Sequence, residues 1–433
     1  MGKINDKLIE FIDKTPNAYC CVNNLKGILI ENGFIELYEN EIWKELKEDG
    51  KYFVTRNDSS LIAFKMCSNV INPGFNITAT HTDSPSFSIK TNPEMYENGY
   101  LKLNTSSYGG MINYSWLDRP LSLAGRVIVL DKGVYKKQII NIDKDLLVIP
   151  SQAIHINREV NSKCELNYQT DMLPIMSLSD VKLKNLIEKV LEKSGVFFDK
   201  VCDYDLYLYN RDKVKPLGLE EEFIMGPRLD DLASLVPSFY SFINSNNQDT
   251  YNVFCAFNNE EIGSLTPHGA DSSFLIDILT KIASSTKIDL LTTLNNSIVV
   301  SADNAHAIHP NAASKSDPSN KVYLNKGVVI KHHTNYTTDS LTSSIFKDVC
   351  ERVSVPYQDF ECRSDMRCGA TLGGVSQRHV SVDSVDIGIP QLAMHSANEM
   401  IGSKDTLHMY KALLEFYQTS FMKDKNGVKI KIK

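Results

Sequence analysis

Apolar residues recur at helical spacing over positions 4–13 and 24–32, and each stretch closes in a polar or glycine break, which predicts two helices at the start of the chain. Positions 51–56 and 61–66 then alternate or run apolar around Asn57-Asp58-Ser59, the pattern of a β-hairpin. A short apolar and β-branched run over 75–80 delivers its end to His81-Thr82-Asp83-Ser84-Pro85. The arrangement recurs: 251–257 ends at Asn258-Asn259-Glu260-Glu261, 297–301 ends at Ala302-Asp303, and 385–389 leads to Met394-His395. Helical patterns over 229–244, 273–284, 340–353 and 406–421 lie between these strands. Strands alternating with helices, with polar residues gathered just past strand ends, predict an open α/β sheet whose site lies at the carboxyl edge.

The middle of the chain has a different pattern. Short β-type runs such as 126–134, 137–142 and 205–210 fill it, and only 180–194 reads as a helix. Residues 94–222 are therefore expected to form a mainly β domain, inserted into an α/β domain built from 1–93 and 223–433. The expected fold class is α/β, a central mixed sheet flanked by helices, with this β-rich insertion.

Composition narrows the class of function. The 433 residues are 42% hydrophobic and 23% charged, ordinary for a globular chain with more than one domain. A net charge of −7 without a basic stripe argues against a nucleic-acid partner, and the Lys-rich end, Lys423 to Lys433, reads as a solvated tail. No run of eighteen apolar residues is present to span a membrane, and charges spaced through Met1 to Lys14 leave no secretory signal. Nine scattered cysteines without a C-x-x-C pair fit reduced thiols and a cytoplasmic location, and offer no cysteine zinc site.

A hydrolytic two-metal centre needs oxygen and nitrogen ligands, a carboxylate able to bridge both ions, and a base beside the attacking water. His81 and Asp83, two apart at a strand end, project to one side and suit a ligating imidazole backed by a carboxylate. The pair also describes any polar loop after a strand. Glu260-Glu261 follows a buried-looking strand, where neighbouring side chains point in different directions, so one can hold a metal while the other faces water. A solvated loop or helix start would equally welcome them. Asp230-Asp231 opens a helix, where acids also serve as caps. Asp303 and His395 each come after an apolar strand. No single pattern decides the matter, but together they supply five potential ligands and two potential catalytic acids near the element ends of one α/β unit.

The chain resembles the aspartyl aminopeptidase family, which includes the yeast vacuolar aminopeptidase I, from about Phe11 to Phe421. The ordered motifs are Ala79-Thr80-His81-Thr82-Asp83-Ser84-Pro85, Tyr108-Gly109-Gly110, Trp116-Leu117-Asp118-Arg119-Pro120-Leu121-Ser122-Leu123-Ala124-Gly125, Arg228-Leu229-Asp230 and Asn259-Glu260-Glu261-Ile262-Gly263-Ser264. They continue with Ser301-Ala302-Asp303, Ala305-His306-Ala307, His309-Pro310-Asn311, Asn325-Lys326-Gly327 and Pro390-Gln391-Leu392-Ala393-Met394-His395-Ser396. The resemblance implies a zinc-peptidase-like catalytic domain with two divalent ions per subunit. One would be held by His81, Asp230 and Asp303, the other by Asp230, Glu261 and His395, with Asp230 bridging. Zinc is the expected metal, and cobalt or manganese would suit the same donors. Glu260 would be the general base for a metal-activated water, and Asp83 would support His81.

The implied activity is release of the N-terminal residue, preferably Asp or Glu, from peptides with a free amine. Lys331 would supply the cation for the acidic side chain, while His306 and Tyr336 would line the pocket or steady the tetrahedral intermediate. His155 would reach a neighbouring subunit's site and steady the developing oxyanion. The inserted domain would make that dimer contact, and dimers would assemble into a dodecamer. Three departures concern the surroundings: Asn258 stands where many relatives have Asp, Arg367 where proline is common, and the stretch after Lys331 is short. Alternatives are an aminopeptidase of neutral or broad specificity, an N-acyl amino-acid amidohydrolase and, from a different class, a non-catalytic oligomeric scaffold. All seven chemical positions are intact, which favours the peptidase.

Overall fold

Every residue of the strand Tyr251–Phe257 is buried, because a core covers each face of the sheet around it. Tyr251, Val253, Cys255 and Phe257 pack into one core, Phe254 and Ala256 into the other. Side chains alternate between faces with period two, so a strand covered on both sides reads as an unbroken apolar run. The computed structural model describes residues 2–44, 46–68, 73–366, 368–369 and 371–431, and Arg367, Ile432 and Lys433 lie outside them.

This strand belongs to a nine-stranded mixed sheet ordered Ile35–Glu36, Lys51–Arg56, Ser60–Lys65, Tyr251–Phe257, Phe75–His81, Ile298–Ala302, Asp383–Gly388, Val328–His332 and Tyr357–Glu361. Its four middle strands, from Tyr251–Phe257 to Asp383–Gly388, run parallel. Their register sets Phe257 beside His81, so the carboxyl ends of all four open on one edge. The helix Leu229–Asn244 covers one face and is buried around most of its circumference, with Leu232, Leu235, Val236, Phe239 and Phe242 in the core.

A second, six-stranded sheet takes Val134–Asn141, Leu121–Asp131, Lys200–Asn210, Ser86–Glu97, Tyr100–Tyr108 and Ile175–Ser177. It has its own core, completed by Leu183, Ile187 and Leu191 from the helix Leu183–Lys193. A third, five-stranded sheet takes Lys215–Leu217, Phe223–Gly226, Glu399–Gly402, Pro390–Leu392 and Ala305–His306. No described helix is long and apolar enough to cross a membrane.

Several sequence expectations need correction. The Lys-rich end is a hairpin, Ser420–Asp424 paired with Gly427–Lys431, rather than a bare tail. Val428 and Ile430 alternate with the lysines and lean on the main core. The second helix starts at Ala18, because Asn17 caps it by accepting Cys20 N–H at 3.1 Å. Its first turns are buried all round, which hides the helical period. The strand expected over 126–134 ends at Asp131, where Lys132 and Gly133, both at positive φ, turn the chain back. Cys362 and Cys368 form a disulfide, although reduced thiols are expected from the composition. Their Cα atoms are 6.1 Å apart, within bonding reach, but the six-residue separation has no motif to announce it.

Phe254 is fully buried against the rings of Phe239 (5.2 Å) and Phe242 (6.0 Å). Phe254→Ala is expected to cost about 3–5 kcal/mol of stability, through lost transfer energy and the cavity left behind. Chemical denaturation of the two proteins measures it.

Candidate metal centre

The edge formed by the four parallel strands collects the chemistry. His81 closes Phe75–His81, Glu260 and Glu261 follow Tyr251–Phe257, Asp303 follows Ile298–Ala302, and His395 lies beyond Asp383–Gly388. Asp230 arrives from across the edge, at the first turn of Leu229–Asn244, where its φ/ψ of −82°/114° departs from the helix. Sequence reading and structure thus bring His81, Asp230, Glu260, Glu261, Asp303 and His395 into one place.

Asp230 is the centre of the group. Its Oδ1 lies 3.4 Å from His81 Nε2 and its Oδ2 lies 3.5 Å from His395 Nε2. Asp303 Oδ1 is 3.9 Å from His81 Nε2, and Glu261 Oε2 is 3.3 Å from His395 Nε2. The second ring nitrogen of each histidine fixes the tautomer. His81 Nδ1 is 3.0 Å from the carbonyl of Asp83, and His395 Nδ1 is 2.7 Å from that of Gly110. A carbonyl only accepts, so both Nδ1 atoms carry a proton, and Nε2 is the ring atom of each histidine that faces the carboxylates.

Ligand atoms of His81, Asp230, Asp231 and Asp303 lie within 4.8 Å of one another, as do those of Asp230, Glu261 and His395, and those of His81, Glu260 and Glu261. Asp230 Oδ1, Asp231 Oδ1 and Glu261 Oε1 are buried without a hydrogen-bond partner. Burial pushes the carboxyls of Glu261 and Asp231 well above the ordinary range, and Glu260 up to about 7, with neighbouring carboxylates adding to the effect. Burial works to lower the pKa of His81, yet the surrounding carboxylates of Asp230, Asp303 and Asp83 hold it well above the ordinary histidine value. A crowd of buried carboxylates gathered around two imidazole Nε2 atoms is a donor set for cations, and the residues present fit divalent zinc.

Asp83 does more than the sequence suggests. It holds His81 Nδ1 through its backbone carbonyl, and its carboxylate stands 3.5 Å away. That carboxylate accepts the N–H groups of Glu260 and Glu261, each at 3.2 Å, and the hydroxyl of Tyr108 at 2.7 Å. Tyr108 ends a strand of the second sheet, which explains the Tyr108-Gly109-Gly110 motif. Gly109 sits at φ +75°, where a Cβ would come 3.1 Å from Glu261 Cβ. Ile112 N–H reaches His395 O at 3.0 Å, and Ser115 and Asn210 bind Ala397. The second sheet therefore holds the loop that carries His395.

Lys331 is buried on Val328–His332, with Nζ 3.4 Å from Asp303 Oδ2 and 5.9 Å from the centre of the Tyr336 ring. His306 stands exposed on Ala305–His306. His155 is not brought to the cluster: it lies exposed in a turn of the second sheet's surroundings, with no hydrogen bond or ion pair to these residues. Sequence reasoning gives no role to Asp231, Tyr108 or Glu399. The doubled aspartate is visible, but Tyr108 and Glu399 act across folds of the chain and have no local signature.

Residues 11–417 match the family described as aminopeptidase I zinc metalloprotease (M18). The chain is 45% identical over 423 residues to a probable M18 family aminopeptidase 2 of Clostridium acetobutylicum, covering 95% of this chain and 98% of that one. It is 38% identical over 428 residues to a protein of the same description from Pseudomonas aeruginosa, covering 97% and 99%. Among solved structures, the Ape4 and Nbr1 complex superposes with a TM-score of 0.92 at 35% identity, covering 96% of this chain and 85% of that one. The mApe1 dodecamer of yeast gives a TM-score of 0.84 at 26% identity, covering 96% of each.

Because unpartnered buried carboxylate oxygens meet the cation in the folded state alone, zinc should stabilise chelator-stripped protein. At free zinc of 100 times Kd the gain is about 2.7 kcal/mol. Differential scanning calorimetry should show a higher Tm with zinc, and Asp230→Asn should remove most of the rise.

Proposed function

The chain belongs to the aminopeptidase I zinc metalloprotease family, M18, and from that premise we propose that it releases single N-terminal residues, acidic ones in preference, from peptides with a free amine. The observation that carries the reading is the placement of Asp230, one oxygen toward each histidine, with Glu260 beside the pair. His81, Asp230 and Asp303 would hold one divalent ion, and Asp230, Glu261 and His395 a second. Such ions, zinc by family, polarise the scissile carbonyl and acidify water when bound.

Glu260 takes the proton from the attacking water and returns it to the leaving amine. Its carboxyl is raised to about 7 by burial and neighbouring charge, so it can both accept and release a proton near neutrality. Its N–H is fixed by Asp83, which sets the position of the base. Lys331 meets the acidic side chain of the substrate. Burial lowers its pKa, but Asp303 and its neighbours outweigh that and keep the ammonium charged. Tyr336 and His306 flank this cation. Because Lys331 also lies beside Asp303, a purely supporting role for that carboxylate is the competing reading.

His155, exposed and remote from its own cluster, fits a role in the site of a neighbouring copy, where it would steady the oxyanion. Residues 94–222 would then form the dimerisation domain, with dimers building the dodecamer, in the cytoplasm. The dodecameric yeast relative supports this assembly.

Separate tests address the parts of the proposal. Peptides beginning with Asp, Glu, Leu and Lys, and one with N-acetyl-Asp, are offered to zinc-loaded protein. Release from Asp and Glu peptides with the acetylated one inert is expected. Preference for Leu would discard the acidic pocket, deacetylation would move the protein to the amidohydrolases, and no release from any peptide would leave a scaffold. Glu260→Gln should retain metal by elemental analysis and lose about 2–4 orders of magnitude in kcat. Lys331→Ala should harm acidic substrates far more than neutral ones, and equal losses would assign it to Asp303. His155→Ala should lower kcat at unchanged metal content.

A further inference from the structure

Glu399 opens the strand Glu399–Gly402 and is buried, and among the described residues no cationic side chain forms an ion pair with its carboxylate. Oε2 accepts the backbone N–H of Asp230 at 2.9 Å, and Oε1 accepts that of His395 at 2.7 Å. One carboxylate thus joins two segments 169 and 4 residues away, both of which carry a candidate ligand. Those ligands face each other, Asp230 Oδ2 to His395 Nε2 at 3.5 Å.

The two candidate metal positions are unequally anchored. His81 ends a strand at the centre of the nine-stranded sheet, paired with Phe257, and Asp303 directly follows the next strand, its N–H bonded to the carbonyl of Ile387 at 3.0 Å. His395 lies outside any strand, on the turn between Pro390–Leu392 and Glu399–Gly402, at φ +65°, a conformation uncommon for residues other than glycine. Three bonds hold it there: its N–H to Glu399, its Nδ1 to Gly110 O, and its carbonyl to Ile112 N–H. Only Glu399 also fixes Asp230.

We propose that Glu399 is a positioning residue that assembles the second metal position, by clamping the backbones of Asp230 and His395 in the spacing that position requires. The inference rests on the two-metal reading above. Both oxygens of Glu399 are engaged by backbone, so it acts through the ligands rather than on the ions. The task demands a carboxylate. Glutamine has the same size but a single acceptor oxygen, and its NH2 would confront the other N–H donor. Aspartate keeps the charge but is one methylene too short to reach both.

The test compares wild type, Glu399→Gln and Glu399→Asp as full-length chains, stripped and titrated with zinc against a chelator of known affinity. Wild type should bind two zinc ions. The variants should weaken the second by about 10- to 100-fold, the usual effect of losing a group that orients a ligand, and the first, which shares Asp230 but keeps His81 and Asp303, by clearly less. Their kcat should recover as free zinc is raised, a response that a general loss of structure would not give. Wild-type affinity for both ions in Glu399→Gln would overturn the proposal, as would equal weakening of both with a lowered apo Tm. Should Glu399→Gln fail to fold, Glu399→Asp carries the same comparison. A wild-type chain that binds one zinc would overturn the two-metal reading itself, and this inference with it, before any variant is made.

Discussion

The geometry of this site depends on the two oxygens of Asp230 facing two different histidines. A carboxylate of this kind can be shared between two cations only if its plane is fixed and both imidazoles present lone pairs. The protein meets the first condition by taking Asp230 from a kinked first turn of a buried helix. It meets the second by giving both Nδ1 protons to backbone carbonyls. Neither condition involves a strong bond to Asp230 Oδ1, which remains without a hydrogen-bond partner. The free acceptor sites are the coordination capacity.

Gathering carboxylates in a buried place is costly without cations or donors to face them. The fold divides that cost between two kinds of acid. Asp230, Glu261 and Asp303 turn toward the centre, while Asp83 and Glu399 turn their oxygens to backbone N–H groups. Each of these two carboxylates ties down a pair of candidate site residues, Glu260 with Glu261, and Asp230 with His395. The negative charge of Asp83 also disfavours ionisation of Glu260 and Glu261. The second sheet takes part through Tyr108, Gly110, Ile112 and Ser115, so the catalytic edge of one sheet is finished by the strand ends of another.

Much of this is legible in the sequence because local physics and local pattern agree over long apolar stretches bounded by polar residues. The helix Leu229–Asn244 and the strand Tyr251–Phe257 are readable to the residue, one from its apolar repeat and the other from its uninterrupted apolar run. Reading fails where uniform burial hides a helical period, as over the first turns of Ala18–Glu31, or where charge hides alternation, as in the lysine-rich hairpin at the end. Cys362 and Cys368 pair through a loop closure that no spacing rule anticipates.

By itself the sequence determined which chemistry is possible: histidines and acids placed directly after apolar strands, whose parallel arrangement must bring those ends to one edge. Tertiary structure alone decided how the acids divide their work. Whether Asp83 acts by carbonyl or carboxylate, whether Glu399 matters, and why Tyr108 stands beside two glycines are set by contacts between segments far apart in the chain. A hydrogen bond is fixed by atom positions to within a few tenths of an ångström, and residue order constrains those positions only after the chain has folded.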